Sequence, residues 1–212
     1  LQQFYNIADT MIVGRFLGKN ALAAVGSSFT LMTFLTSIIL GLAMGSGVLF
    51  SMKFGEKDEM GLRKASSSSF FIVLITSIVL TIAAYALLDL LKDLMNIPDE
   101  VWPEMRDYLI VIFSGIIGIF FYNWFSSFLR ALGNSTIPLL FLAISTILNI
   151  GLDLYFVLAL KRGVRGAAEA TVMSEDISGM GVAIYTLIVS KESRFSFKHV
   201  DKKTICEVTN FS

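Results

Sequence analysis

The chain has 212 residues, 55% of them hydrophobic and 16% charged, and its mean hydropathy of +0.72 lies far above that of a soluble domain. Seventeen basic residues balance seventeen acidic ones, so no net field favours nucleic acid or an acidic partner. A single Cys206 and a single His199 exclude an intrachain disulfide framework, a cysteine-based metal site and a zinc-type histidine pair, and no hydrolase triad can be assembled around them. The composition is that of an all-α, polytopic membrane protein whose first partner is the lipid bilayer.

Residues 1–16 form an apolar run carrying Asp9 and no basic leader. At 1.5 Å per residue it reaches about 24 Å, short of the roughly 30 Å hydrocarbon core, so the first span is expected to be partial. GRFLGKNALAAVG reads as a turn. A second span is expected over 26–50, where Gly41 and Gly45 make a small-xxx-small pair for close helix packing. The charged loop 51–64 precedes a third span over 65–91, whose serines 66–69 are expected to solvate a helix start. Residues 92–107 hold two prolines, and Trp102 suits a membrane interface. A fourth span covers 108–129 and ends at Arg130, placed to snorkel toward a headgroup. After the turn ALGNSTIP a fifth span runs over 137–160, and a sixth over 164–189. Residues 1–190 thus predict a six-helix transmembrane bundle, and the polar, basic 191–212 a cytoplasmic linker.

Counting Lys and Arg on alternate sides places ten with the 51–64 loop and seven opposite, Lys161, Arg162 and Arg165 being the exception to the bias. The 51–64 loop is therefore expected in the cytoplasm.

Ionisable groups inside the apolar runs are where function is sought, because a carboxylate near the bilayer midplane costs about 2.5–3.5 kcal/mol on insertion scales. Asn149 and Asp153 are four residues apart and share a helix face. Across the short 161–165 loop the next helix can bring Thr171 to the same place. Asp153 lies seven residues from the end of its run, about 10 Å along the helix, which makes snorkelling difficult. Amide and hydroxyl side chains such as Asn149 and Thr171 also serve as interhelical hydrogen-bond partners in their own right.

YNIADTMIVGRFLGKNALAAVG, FLRALGNSTIPLL and LNIGLDLYFVLALKRGVRGAAEATVMS, in this order and spacing, resemble the MATE (multidrug and toxic compound extrusion) family, specifically the amino-terminal half of its twelve-helix fold. The resemblance implies a secondary antiporter, not an enzyme, that exports cationic organic compounds from the cell across the plasma membrane (the bacterial inner membrane) in exchange for H⁺ or Na⁺. It needs no cofactor beyond that coupling ion, and its partner is a second, carboxy-terminal half. The family's cation site falls here on Asp9, Asn149, Asp153 and Thr171. Two carboxylates with amide and hydroxyl oxygens suit Na⁺, or two acids that share a proton.

Three acids depart from the family's pattern. Glu175 follows Thr171 by one turn and is expected to join the cation cluster. Glu169 and Asp176, seven apart, share a face nearly opposite Thr171, either lining the substrate cavity or having no transport role. Together the three would cost the sixth span about 9 kcal/mol on insertion, more than its Val, Ile and Leu side chains return, so this helix should not insert alone. Phe120, Phe121, Tyr122, Trp124 and Phe125 are expected to pack or face lipid, with stacking on a flat organic cation as the alternative. Two other functions remain open: a non-transporting truncated membrane fragment, and a lipid-linked oligosaccharide flippase of the same superfamily, which would want a basic cavity.

Overall fold

A computed structural model describes residues 2–189; the expected cytoplasmic linker, Cys206 and His199 lie outside the described residues. Within them the chain forms α1 (Gln2–Phe16), α2 (Lys19–Gly55), α3 (Glu59–Ala86), α4 (Leu88–Leu94), α5 (Trp102–Ser114), α6 (Ile116–Ala131), α7 (Thr136–Asp153), a π-helical stretch (Leu154–Ala159) and α8 (Gly163–Val189). Four of these are long and apolar enough to cross a membrane, and α5 with α6 makes a fifth, bent span. α8 packs against α5, α6 and α7.

The structure departs from the sequence reading in several places, the following for a local reason. The first turn shrinks to Leu17 and Gly18. Gly18 takes φ +94, open to glycine, while the alanine-rich residues after it have every reason to be helical, so α2 begins at Lys19 and runs 37 residues. The third helix likewise starts early. Asp58 caps it, its side chain accepting from the Gly61 N–H at 2.8 Å. Serines 66–69 are therefore inside the helix and buried, correcting their expected role at a wet helix start. Trp124 Nε1 donates to Ser69 Oγ at 3.2 Å across the α3–α6 interface.

The expected fourth span is broken. Between α5 and α6 the axis turns by 43° at Gly115. Ser114 Oγ donates back to the Val111 carbonyl at 2.6 Å, and this Ser-Gly pair is a usual cause of a sharp kink. A side chain at Gly115 would also meet Val172 Cγ2 at 2.8 Å, so the bend seats α5–α6 closely on α8. Finally, close approach in α2 does not run through Gly41, where an added Cβ meets nothing within 4 Å. It runs through Ala43 and Gly47, against which Ser127 of α6 packs while donating to the Ala43 carbonyl at 2.7 Å.

Lipid removes the hydrophobic drive between helices, leaving packing and hydrogen bonds to hold them. Both are visible. Trp124, Phe50, Phe113, Phe120 and Phe128 are fully buried, with Phe50 edge-on to Trp124 at 5.7 Å between ring centroids. Hydroxyls tie helix to helix: Ser145 Oγ donates to the Ser174 carbonyl at 2.9 Å, Ser178 Oγ to Phe141 at 3.1 Å, and Tyr122 OH to Pro138 at 3.1 Å. Outward faces are greasy, with Ile147 73% exposed and Ile82 63%. Outside the spans Lys92 and Asp99 pair at 2.6 Å. That hydrogen bond raises the lysine's pKa and lowers the aspartate's, each ion favouring the other's charged form.

Candidate cation site and adjoining cavity

α7 presents Asn149 and Asp153 one turn apart on its inward face, and both are buried, at 1% and 0% exposure. α8 brings Thr171 to the same level: Asn149 Nδ2 donates to Thr171 Oγ1 at 3.2 Å. α1 adds Asp9, also buried, and α1 packs against α7, the helix that carries Asn149 and Asp153. The expected four residues are thus drawn from three helices into one interior region.

Tyr108, midway along α5, is a member that the sequence does not mark. Its hydroxyl donates to Asp9 Oδ2 at 3.4 Å, a long bond between two buried groups. In the sequence it reads only as the first residue of an apolar run. Burial beside an acid of a distant helix, 99 positions away, leaves no periodic signal.

Acceptors outnumber donors here. Asp9 Oδ1, Asn149 Oδ1 and both carboxylate oxygens of Asp153 are buried with no hydrogen-bond partner among the described residues. Buried acceptors in native proteins are normally satisfied, and a positive species held here would satisfy these. No group of three or more His, Cys, Asp or Glu side chains suitable for a metal occurs among the described residues. A monovalent cation would instead rest on two carboxylates, an amide and a hydroxyl.

Beside the cluster lies a cavity of ≈ 210 Å³ between α2, α5, α6, α7 and α8. Its wall is rich in hydroxyls, among them Thr33, Thr36 and Ser145, with Phe29 and Tyr122 for aromatic surface and Glu175 as its acid. Tyr108 and Thr171 line it too. Each has one side on the cavity and a hydrogen bond to the buried cluster, so these two side chains form the partition between them.

The three unexpected acids of α8 separate. Glu175 lines the cavity beside Thr171 and Tyr108. Glu169 is bound instead by Arg162 and by Arg165 Nε at 3.3 Å, at the start of α8, and is not among the described cavity residues. Asp176 faces α6, where its carboxylate abuts Gly118. Glu169 and Asp176 stay on one helical face, but seven residues along α8 set one acid among the arginines near the helix start and the other at the α5–α6 bend. Of the aromatic run in α6, Phe120, Trp124 and Phe125 are buried in packing, and Tyr122 alone of the five named lines the cavity.

Comparison with known proteins decides the family. The MatE family model matches residues 1–155. The chain belongs to the MatE family. A probable multidrug resistance protein of Bacillus subtilis (strain 168), YpnP, is 34% identical over 204 residues, covering 95% of this chain and 45% of that one. A probable multidrug resistance protein NorM of Thermotoga maritima is 29% identical over 203 residues, 93% of this chain and 43% of that one. Among solved structures, a multidrug resistance MATE family transporter of the MOP superfamily in an inward-facing conformation superposes with TM-score 0.93 at 26% identity, covering all of this chain and 48% of that one. A MATE in the bent conformation gives 0.92 at 27%, covering 99% of this chain and 47% of that one. The chain spans about half the length of the relatives it matches, and family members are transporters rather than enzymes.

Proposed function

We propose that the chain forms the amino-terminal half of a secondary antiporter of the plasma membrane that exports cationic organic compounds in exchange for H⁺ or Na⁺. Asp9, Asn149, Asp153 and Thr171 hold the coupling ion, and the cavity takes the compound. A second six-helix half completes the pathway, and alternating access between the halves moves both passengers.

The observation that carries this reading is the burial of Asp9 and Asp153 on two packed helices with acceptor oxygens unmet, one side chain away from a cavity. A proton or Na⁺ in the cluster relieves the repulsion between the acids. Its departure reorients the Tyr108 hydroxyl and the Asn149–Thr171 pair, and through them the cavity wall. Glu175 attracts a positive compound and repels an anionic one.

A lipid-linked sugar flippase is the weaker reading. Such a substrate carries phosphates and wants cationic walls, whereas the described cavity residues include Glu175 and no Lys or Arg.

The test is efflux of a fluorescent organic cation by the whole transporter in proteoliposomes, under an imposed pH or Na⁺ gradient, with Asp153→Asn as the control. Gradient-driven efflux lost in Asp153→Asn supports the reading; efflux that ignores both gradients, or survives the substitution, rejects it.

A further inference from the structure

We propose that the α1–α2 turn and the loop between the π-helical stretch and α8 together bind the headgroup of an anionic phospholipid. Five cations meet on these two connections. Arg15 and Lys19 flank the break at Gly18, and Lys161, Arg162 and Arg165 lie just beyond the π-helical stretch. One apolar cluster clamps the connections together: Val13, Leu17 and Ala21 pack with Val157, Val164 and Ala167. The cations therefore emerge around the rim of a single buried patch.

Their charge is not cancelled where they stand. Glu169 serves both Arg162 and Arg165, and Arg15, Lys19 and Lys161 enter none of the ion pairs among the described residues. Five cations against one acid leave an excess of four. Other acids at this end of the bundle, such as Asp93, Asp99 and Asp107, belong to α4, α5 and the turn between them, where Lys92 already takes Asp99.

Arg162 is held in place before any ligand arrives. The chain turns at Lys161 with φ +51, the Arg162 N–H bonds the Phe156 carbonyl at 3.0 Å, and its guanidinium lies 5.9 Å from the Phe156 ring centroid. A guanidinium fixed this way suits a phosphate's oxygens, which it can engage through two N–H groups. Beside these charges the π-helical stretch turns Leu154, Tyr155 and Leu158 outward, and Phe16 does the same from α1. Cations above exposed apolar side chains match a headgroup with its acyl chains, an arrangement a small soluble anion does not require. The same loop is the exception in the charge count across the membrane, and a bound headgroup gives those cations a role of their own.

Native mass spectrometry of the whole protein, delipidated in detergent and titrated with phosphatidylglycerol, phosphatidylcholine or glycerol phosphate, tests this. Phosphatidylglycerol should be retained at least about tenfold more tightly than phosphatidylcholine, and glycerol phosphate hardly at all. Lys161→Gln with Arg162→Gln, and separately Arg15→Gln with Lys19→Gln, should each weaken that retention by about tenfold or more. Lys92→Gln with Arg106→Gln, removing the same charge elsewhere at this end, should change it by less than about twofold. Equal retention of both lipids, an equal loss in the control pair, or glycerol phosphate held as tightly as the lipid would each overturn the proposal.

Discussion

Tyr108 reaches from α5 to Asp9 on α1 while its other side lines the cavity, so one phenol touches both the candidate ion cluster and the candidate substrate space. Tyr108→Phe removes the hydroxyl and keeps the packing. We expect the protein to fold and elute as wild type, and gradient-driven efflux to fall severalfold while affinity for the exported compound changes little. Efflux kinetics alongside equilibrium binding of a fluorescent cation checks this; unchanged efflux would leave the tyrosine a packing group.

Asn149 and Thr171 form the second bridge. Thr171→Val removes the acceptor of the Asn149 amide, and the expected cost is about 0.6–2 kcal/mol of stability, the range for hydrogen bonds between membrane helices. Thermal denaturation in detergent, in a double-mutant cycle with Asn149→Leu, measures the coupling between the two side chains.

Glycine positions give a sharper contrast. A Cβ at Gly179 would stand 2.7 Å from the Gly118 carbonyl, a backbone atom that cannot turn aside, so Gly179→Ala should push α8 from α6 and cost about 1–3 kcal/mol. Gly41→Ala meets nothing within 4 Å and should be neutral or stabilising by up to about 1 kcal/mol. Paired thermal midpoints decide it.

The Lys92–Asp99 pair supplies a pH dependence. Asp99's lowered pKa means its contribution is present above the ordinary value of 3.8 and is lost as pH falls through the lower folded value. Lys92's raised pKa means its part is present below 10.5 and is lost as pH rises through the higher folded one. Asp99→Asn should therefore lower the thermal midpoint slightly at pH 7, and the difference should shrink as the pH falls through the lowered Asp99 value. Both groups are exposed, and high salt should shrink the effect as well.

Much of this molecule was legible before its coordinates. Long apolar runs fixed the membrane class, and the one-turn spacing of Asn149 and Asp153 with Thr171 across a short loop placed three of the cluster's members. What escaped was whatever depends on three-dimensional neighbours. The break at Gly115 reads as an ordinary glycine until Val172 is seen against it, and serines 66–69 look like helix-start residues until α6 covers them. Tyr108 has no local mark at all. Glu169 and Asp176 share a helical face, yet one meets arginines at the helix start and the other a glycine at the bend.

The most direct measurement is the number of coupling ions released when an organic cation binds to the whole transporter, followed as proton release in weakly buffered solution and repeated under Na⁺ with a sodium-selective probe. The account predicts about one ion released per compound bound, abolished by Asp153→Asn and by Asp9→Asn. Binding that releases neither ion, or that releases as much in both variants, would contradict it.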